Sequence, residues 1–299
     1  MTDGGARTPV EERQKAADER ARETRREMDQ HRRSELAPDE RKQASEAKQL
    51  DAKTTYEVIR EEGEKELERS ASALAFSGLA AGLAMGFSMV GEGMLRSHLP
   101  DAEWRPLITK LGYSLGFLAV ILGSQQLFTE NTLTPVVPLL SRKSGVKLSQ
   151  VLRLWGIVFV ANIVGTILFA LAAAYTELFR PEMRDAFAAI GREALEGSFW
   201  ATFARAIGAG WVIAMLVWML PDAKYGRVWV IIIMTYLIGL AGFSHIIAGS
   251  VETFYTVAVG EVPWQEYLFG FMVPTLLGNV IGGTLLVAGL NHAQVTSGE

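Results

Sequence analysis

The chain has 299 residues, 49% of them hydrophobic and 21% charged, with a net charge of −4. The charge is uneven: residues 1–70 hold 16 Lys and Arg and 19 Asp and Glu, and the remaining 229 residues only 13 and 14. There is no cysteine, which excludes disulfides, thiol nucleophiles and Cys-ligated metals.

The composition predicts a charged cytoplasmic arm over 1–70, helical or partly disordered, followed by a membrane domain over 71–299. Within the arm, "EERQKAADERARETRREMDQHRR" and "PDERKQASEAKQLDAKTTYEVIREEGEKELERS" are rich in helix formers and separate near Pro38. Neither shows an apolar stripe at coiled-coil spacing, and the mixed signs argue against a nucleic-acid partner. The N-terminus lacks the short apolar core of a secretory signal, so none is expected.

Beyond Arg69 the apolar segments are long enough for the ~30 Å hydrocarbon core, which takes about 20 helical residues. They run over 72–95, 107–141, 150–175, 199–220, 227–259 and 267–290, giving six crossings. The second and fifth are too long for simple spans. "GSQQLFTENTLTP" interrupts one and "GFSHIIAGSVE" the other. Backbone that leaves the helix at membrane depth must be shielded from lipid, so both breaks should face protein or a water-filled path. Six crossings place both termini on one side. The charged arm without a signal puts that side in the cytoplasm, and a bacterial inner membrane is expected. The positive-inside bias of the linkers is weak. "ELFRPEMRDAFAAIGREALEG", between the third and fourth spans, reads as a short amphipathic helix on the outer face.

An internal repeat joins the halves. "ANIVGTILFA" at 161–170 and "GNVIGGTLLV" at 278–287 align Asn162 with Asn279 and Gly165 with Gly282, 117 residues apart, and Thr129 lies 116 before His245. Three spans followed by three more invert the second half, the pattern of an inverted-repeat (3+3) transporter or channel with its site at the midplane. Gly78, Gly82 and Gly86 form a small-residue stripe along the first span, suited to close helix packing.

His245 is an ionisable group inside an apolar span, a position that marks functional sites in membranes. Glu92 reads as interfacial, and His31, His98 and His292 fall in loops or tails without metal-ligand spacing. No G-x-S-x-G elbow, Walker motif or His-Glu-x-x-His occurs, so neither an enzyme nor a cofactor is expected.

Four segments together resemble the formate/nitrite transporter family: "LFTENTL" (127–133), "RLWGIVFVAN" (153–162), "GFSHIIAGS" (242–250) and "GNVIGG" (278–283). The resemblance covers about 70–292. It implies an aquaporin-like six-helix bundle, assembled as a pentamer with one pore per protomer, that conducts small monovalent acids such as formate, nitrite, hydrosulfide or lactate. By position it makes His245 the central histidine and Thr129 the hydroxyl facing it. It puts Tyr113, Phe117, Leu127, Phe128 and Ile238 at the pore constrictions and makes Asn162, Asn279 and Asn131 supports of the helix breaks. Arg153 and Arg205 take basic positions, usually lysine, where they would attract anions at the two vestibules. Ser244 replaces the family's usual glutamate before the histidine, and Gly249–Ser250 its usual Asn-Met.

An anion meets a desolvation penalty of many kcal/mol at a hydrophobic constriction, and protonation removes most of it. His245, with a reference pKa near 6.5, has both forms accessible and is placed to supply that proton. The expected partners are a small monovalent anion or its conjugate acid, the lipid bilayer and four further copies of the chain. A neutral-solute pore of aquaporin-like architecture is the second reading, disfavoured by the lack of Asn-Pro-Ala repeats. A non-transporting membrane scaffold is the third.

Overall fold

The computed structural model describes residues 50–141 and 145–297, together with Arg20, Glu23, Thr24 and Met28. The chain divides into two units, Met1–Leu50 and Asp51–Glu299. In the first, the four described residues before Leu50 are helical, and Thr24 Oγ1 donates to the carbonyl of Arg20 at 2.9 Å. The rest of the arm up to residue 49, Pro38 included, lies outside the described residues, as do Arg142 and Lys143.

The second unit opens with α1 (Ala52–Glu68), capped by Asp51, whose carboxylate accepts the N–H of Thr54 at 2.7 Å. Its buried residues Tyr56, Ile59, Gly63 and Leu67 recur at helical spacing and line one face. The compact unit therefore begins at Asp51, where charge alone places the border at 70. Four apolar or small positions among many charges suffice to dock α1. The Tyr56 hydroxyl lies 2.8 Å from Nδ1 of His292 and 3.3 Å from the carbonyl of Val137. A Cβ at Gly63 would collide with the carbonyl of Thr134.

Arg69 and Ser70 are extended, and Ser70 Oγ starts α2 (Ala71–His98) by accepting the N–H of Ala73 at 3.3 Å. There follow α3 (Arg105–Leu122), a loop, the short α4 (Val136–Leu140), α5 (Leu148–Tyr175), α6 (Pro181–Ala194) and α7 (Phe199–Met219). Then come α8 (Arg227–Leu240), α9 (Ile246–Ala258) and α10 (Glu266–Thr296), which is widened to π-type turns at Glu266–Met272 and Thr284–Gly289. Among the described residues there is no strand.

Five helices (α2, α3, α5, α7 and α10) are long and apolar enough to cross a membrane, and the shorter apolar α8 and α9 meet end to end at a break. Phe76, Val160, Ile233 and Leu285 lie exposed on the outside, a surface costly in water and neutral in lipid. The amphipathic α6 buries Phe187 and Ile190; Phe187 packs on Gly93 of α2, and Gly191 on the carbonyl of Glu252 in α9.

Several helix pairs approach at backbone level, and two of them involve the asparagines of the repeat. A Cβ at Gly82 of α2 would collide with the carbonyl of Asn162 in α5, and one at Gly210 of α7 with the carbonyl of Asn279 in α10. Backbone, unlike a side chain, cannot swing aside. Gly82→Leu is accordingly expected to cost about 3 kcal/mol or more, read as a lowered melting temperature of the detergent-solubilised protein. Gly156→Leu, where a Cβ meets nothing, serves as the control and should melt like the unchanged chain.

Candidate functional site

The first break, residues 123–135, leaves α3 through Ser124, a non-glycine residue at φ 50°, and runs through several turns, of which Glu130–Thr132 is a short 3-10 helix. Asn162 on α5 holds it. Its Oδ1 accepts the N–H of Phe128 at 2.9 Å, and its Nδ2 donates to the carbonyls of Gln126 (2.9 Å) and Gly78 (2.7 Å). Asn131 works from within the loop, donating to Leu127 O at 3.2 Å and Gln126 Oε1 at 3.0 Å. Trp155 Nε1 donates to its carbonyl at 2.7 Å.

The second break is shorter and turns at Gly242, φ 63°, where left-handed backbone favours glycine. Asn279 makes the matching set of bonds. Its Oδ1 accepts Ile246 N–H at 2.8 Å, and its Nδ2 donates to the carbonyls of Ser244 (2.9 Å) and Ala206 (2.8 Å). The bracketed atoms correspond 118 residues apart, 126 to 244 and 128 to 246. In this correspondence Leu127 is the counterpart of His245, and Thr129 is its partner across the site.

His245 caps α9 with its side chain: Nδ1 accepts the N–H of Ala248 at 3.2 Å. With Nδ1 an acceptor, the ring proton sits on Nε2, which donates to Thr129 Oγ1 at 2.8 Å. Thr129 keeps its own hydroxyl hydrogen for another acceptor. The pair is buried, and the edge of Phe117 packs on the imidazole with ring centroids 4.9 Å apart.

Two cavities with no lining residue in common adjoin the two breaks, one reaching residues that flank Thr129 and the other reaching His245. One, of about 510 Å³, is lined by α1, the first break and the α7–α8 turn, and carries Glu62, Glu66, Glu130, Lys224 and Arg227. The other, of about 210 Å³, is lined by His245, Tyr113 and Phe271 with Lys110, Arg205, Glu193 and Glu252. Leu127 borders the first and His245 the second, and Phe117 and Thr129 are fully buried and line neither. In the larger cavity Glu62 keeps contact with solvent. The surrounding protein nevertheless withdraws water from it, and this, with Glu66 alongside, raises its pKa against the pull of Arg227.

The predicted residues do not all converge. Phe128 turns to Trp155 and Phe159, with centroids at 5.9 and 5.1 Å, and Ile238 is buried in α8 outside both cavity walls. Arg205 lines the smaller cavity, with Nη1 bonded to the carbonyl of Glu196 at 2.7 Å. Arg153, expected at a vestibule, is exposed instead, its guanidinium 3.5 Å from the carbonyl of Arg69, and lines neither cavity. Arg227 and Lys224 supply the positive charge there. Lys224 lies in the α7–α8 turn and Arg227 just after it, where sequence alone does not show which way a side chain points.

The model of the family described as formate/nitrite transporter matches residues 53–293. The chain belongs to the formate/nitrite transporter family. It is 44% identical over 244 residues to inner membrane protein YfdC of Escherichia coli, covering 82% of this chain and 79% of that one. It is 27% identical over 233 residues to a probable formate transporter of Methanothermobacter thermautotrophicus, covering 72% and 82%. A solved structure described as a pentameric formate channel with formate bound shares the fold. The TM-score is 0.66 at 22% identity, over 76% of this chain and 98% of that one. This transporter is an all-helical, multi-pass membrane protein and not an enzyme.

The transporter's departures from the family pattern have structural counterparts. At Gly249 a Cβ would strike the ring of Phe271, so Phe271 fills the space a larger residue would take. Ser250 Oγ donates to Ile246 O at 2.5 Å and accepts from the Tyr267 hydroxyl at 3.2 Å. Glu92, read from sequence as interfacial, is 1% exposed and paired with Lys110. That pair spans 18 residues across two helices, a separation no local pattern reveals.

Asn279→Ala removes three bonds to buried backbone groups at once. Leaving those groups unpaired is expected to lower stability by about 2–4 kcal/mol, measured by thermal unfolding in detergent. Substitution of the half-buried Asn291, which gives a single bond to the carbonyl of Val287 at 3.0 Å, should have little effect.

Proposed function

We propose that this protein is a channel for small monovalent weak acids such as formate or nitrite, and that His245 assists their passage by exchanging a proton. We further infer a homo-pentamer in a bacterial inner membrane, with both termini and the charged arm on the cytoplasmic side. The solved channel of this fold is described as pentameric with formate bound, and the relative YfdC as an inner membrane protein. Both support the reading.

The observation that carries it is the Thr129–His245 hydrogen bond, buried where the two breaks meet, with one cavity bordered by Leu127 and the other by His245. A charged species meets an apolar layer of Phe117 and Leu127 there, and crossing it bare costs many kcal/mol. Nε2–H of His245 and the Thr129 hydroxyl are hydrogen-bond donors placed in that layer. For the imidazole to take up a second proton, Nδ1 must release the N–H of Ala248. That step frees a backbone donor at the start of α9, where the helix dipole favours an anion. Proton uptake and anion binding are thereby coupled: as Nδ1 gains its proton, an acid anion gains the freed N–H.

The two roles of His245 separate by substitution. Asparagine is a strong N-cap that does not titrate. His245→Asn should therefore keep a folded protein that conducts formate in proteoliposomes, with the pH dependence flattened. His245→Ala loses cap and proton together, and its flux near pH 7 should fall by about ten- to a hundredfold. An unchanged pH profile in His245→Asn rules out the proton role. A folded protein that carries no formate, nitrite or hydrosulfide favours the scaffold reading.

A further inference from the structure

Glu252 stands apart in the smaller cavity. It lies on α9 seven positions after His245, two helical turns along the same face and about 10 Å of rise away. It is 6% exposed, and its Oε1 is buried without a hydrogen-bond partner. Among the described residues no cation lies within 4.0 Å of it. The nearby Lys110 is already paired with Glu92, and the nearby Glu193 with Arg96 at 2.6 Å.

The groups around Glu252 come from every helix packed on α9. From α2 come Glu92 and Arg96, from α3 Lys110 and Tyr113, and from α6 Glu193; the charges of Glu92, Lys110 and Glu193 act on Glu252 directly. Across the cavity, α7 contributes Arg205, and α10 contributes Tyr267, bonded to Ser250. On α5 the charged residue is Arg153, exposed and outside this cavity. Arg205 is bonded to a carbonyl and carries no carboxylate partner among the described residues, so it is the cation left to draw in an anion.

We propose that Glu252 is where a weak-acid anion entering the smaller cavity receives its proton, before it reaches His245. This rests on the function proposed above and adds to it a second proton site in this chain, on the helix that follows the break where Ser244 stands in place of a carboxylate. A carboxyl that holds its proton needs no cation beside it, whereas a bare buried carboxylate does, and Glu252 has none of its own. In the step, the O–H bond of the Glu252 carboxyl breaks and an O–H bond forms on the anion. The neutral acid moves on, and Glu252 remains as a carboxylate within reach of the field of Lys110. Water in the cavity then returns one proton to Glu252, so one proton leaves the solution on that side for each acid that enters.

Formate uptake by the full-length protein in proteoliposomes, followed with an internal pH dye, tests the step. Glu252→Gln keeps the shape of the side chain and removes its acid function. At about pH 8, where an anion depends on a donor, Glu252→Gln should conduct about tenfold more slowly than the unchanged protein. At about pH 5, where bulk protons are abundant, the two should agree within about twofold. Glu252→Asp, which retains the chemistry, should recover most of the loss and keeps the test open should the glutamine variant fold poorly. A Glu252→Gln profile parallel to that of the unchanged protein, or an aspartate variant as slow as the glutamine one, overturns the step alone. Absence of formate flux in the unchanged protein overturns the proposed function, and this step with it.

Discussion

A peptide group that leaves the helix inside a bilayer has no water to bond to, and each unpaired group costs several kcal/mol. This protein interrupts its helices twice at such a depth and pairs the exposed backbone through two asparagine side chains. An amide is suited to the task because it accepts with one end and donates twice with the other. Asn162 and Asn279 use all three capacities in the same way. Each takes one N–H from the far side of a break, gives one bond to a carbonyl on the near side and anchors the set to a neighbouring helix. The rest of the site follows from these brackets, since they fix where Thr129 and His245 can stand.

The histidine adds a further economy. One nitrogen of its ring caps α9 and the other reaches Thr129, so a single side chain closes a helix end and joins the two breaks. This couples structure to chemistry at one residue. Any change in the charge of the imidazole disturbs a helix terminus, and any shift of that terminus moves the imidazole. Phe117 and Leu127 are buried near the pair, and the two cavities that adjoin the breaks differ in size and in charge.

Much of this was legible in the sequence, for reasons that differ by residue. The overlong apolar spans, the glycines near His245 and the paired asparagines are local patterns, and local patterns survive without a fold. The border of the arm was not legible, because Tyr56, Ile59, Gly63 and Leu67 form a stripe only when read at helical spacing through a run of charges. Arg153 was misplaced because a basic residue near a span end carries no record of which way it turns. Glu92, Lys110 and Glu252 form a cluster from three helices, and each alone looks like an ordinary charge near a membrane boundary. Thr129 and His245 are 116 residues apart, while the bonded atoms of the breaks correspond at 118, so the equivalent of His245 is Leu127 and Thr129 is the residue facing it.

Gly82 and Gly210 rest on the carbonyls of Asn162 and Asn279, the same residues whose side chains bracket the breaks. Helices in contact through bare backbone have no side-chain cushion to compress or extend, so the scaffold of α2 with α5 and of α7 with α10 behaves as two stiff couples. Any widening between the breaks is then left to loops and to rings such as Phe117 and Phe271, within a frame whose helix spacing is set by backbone contact.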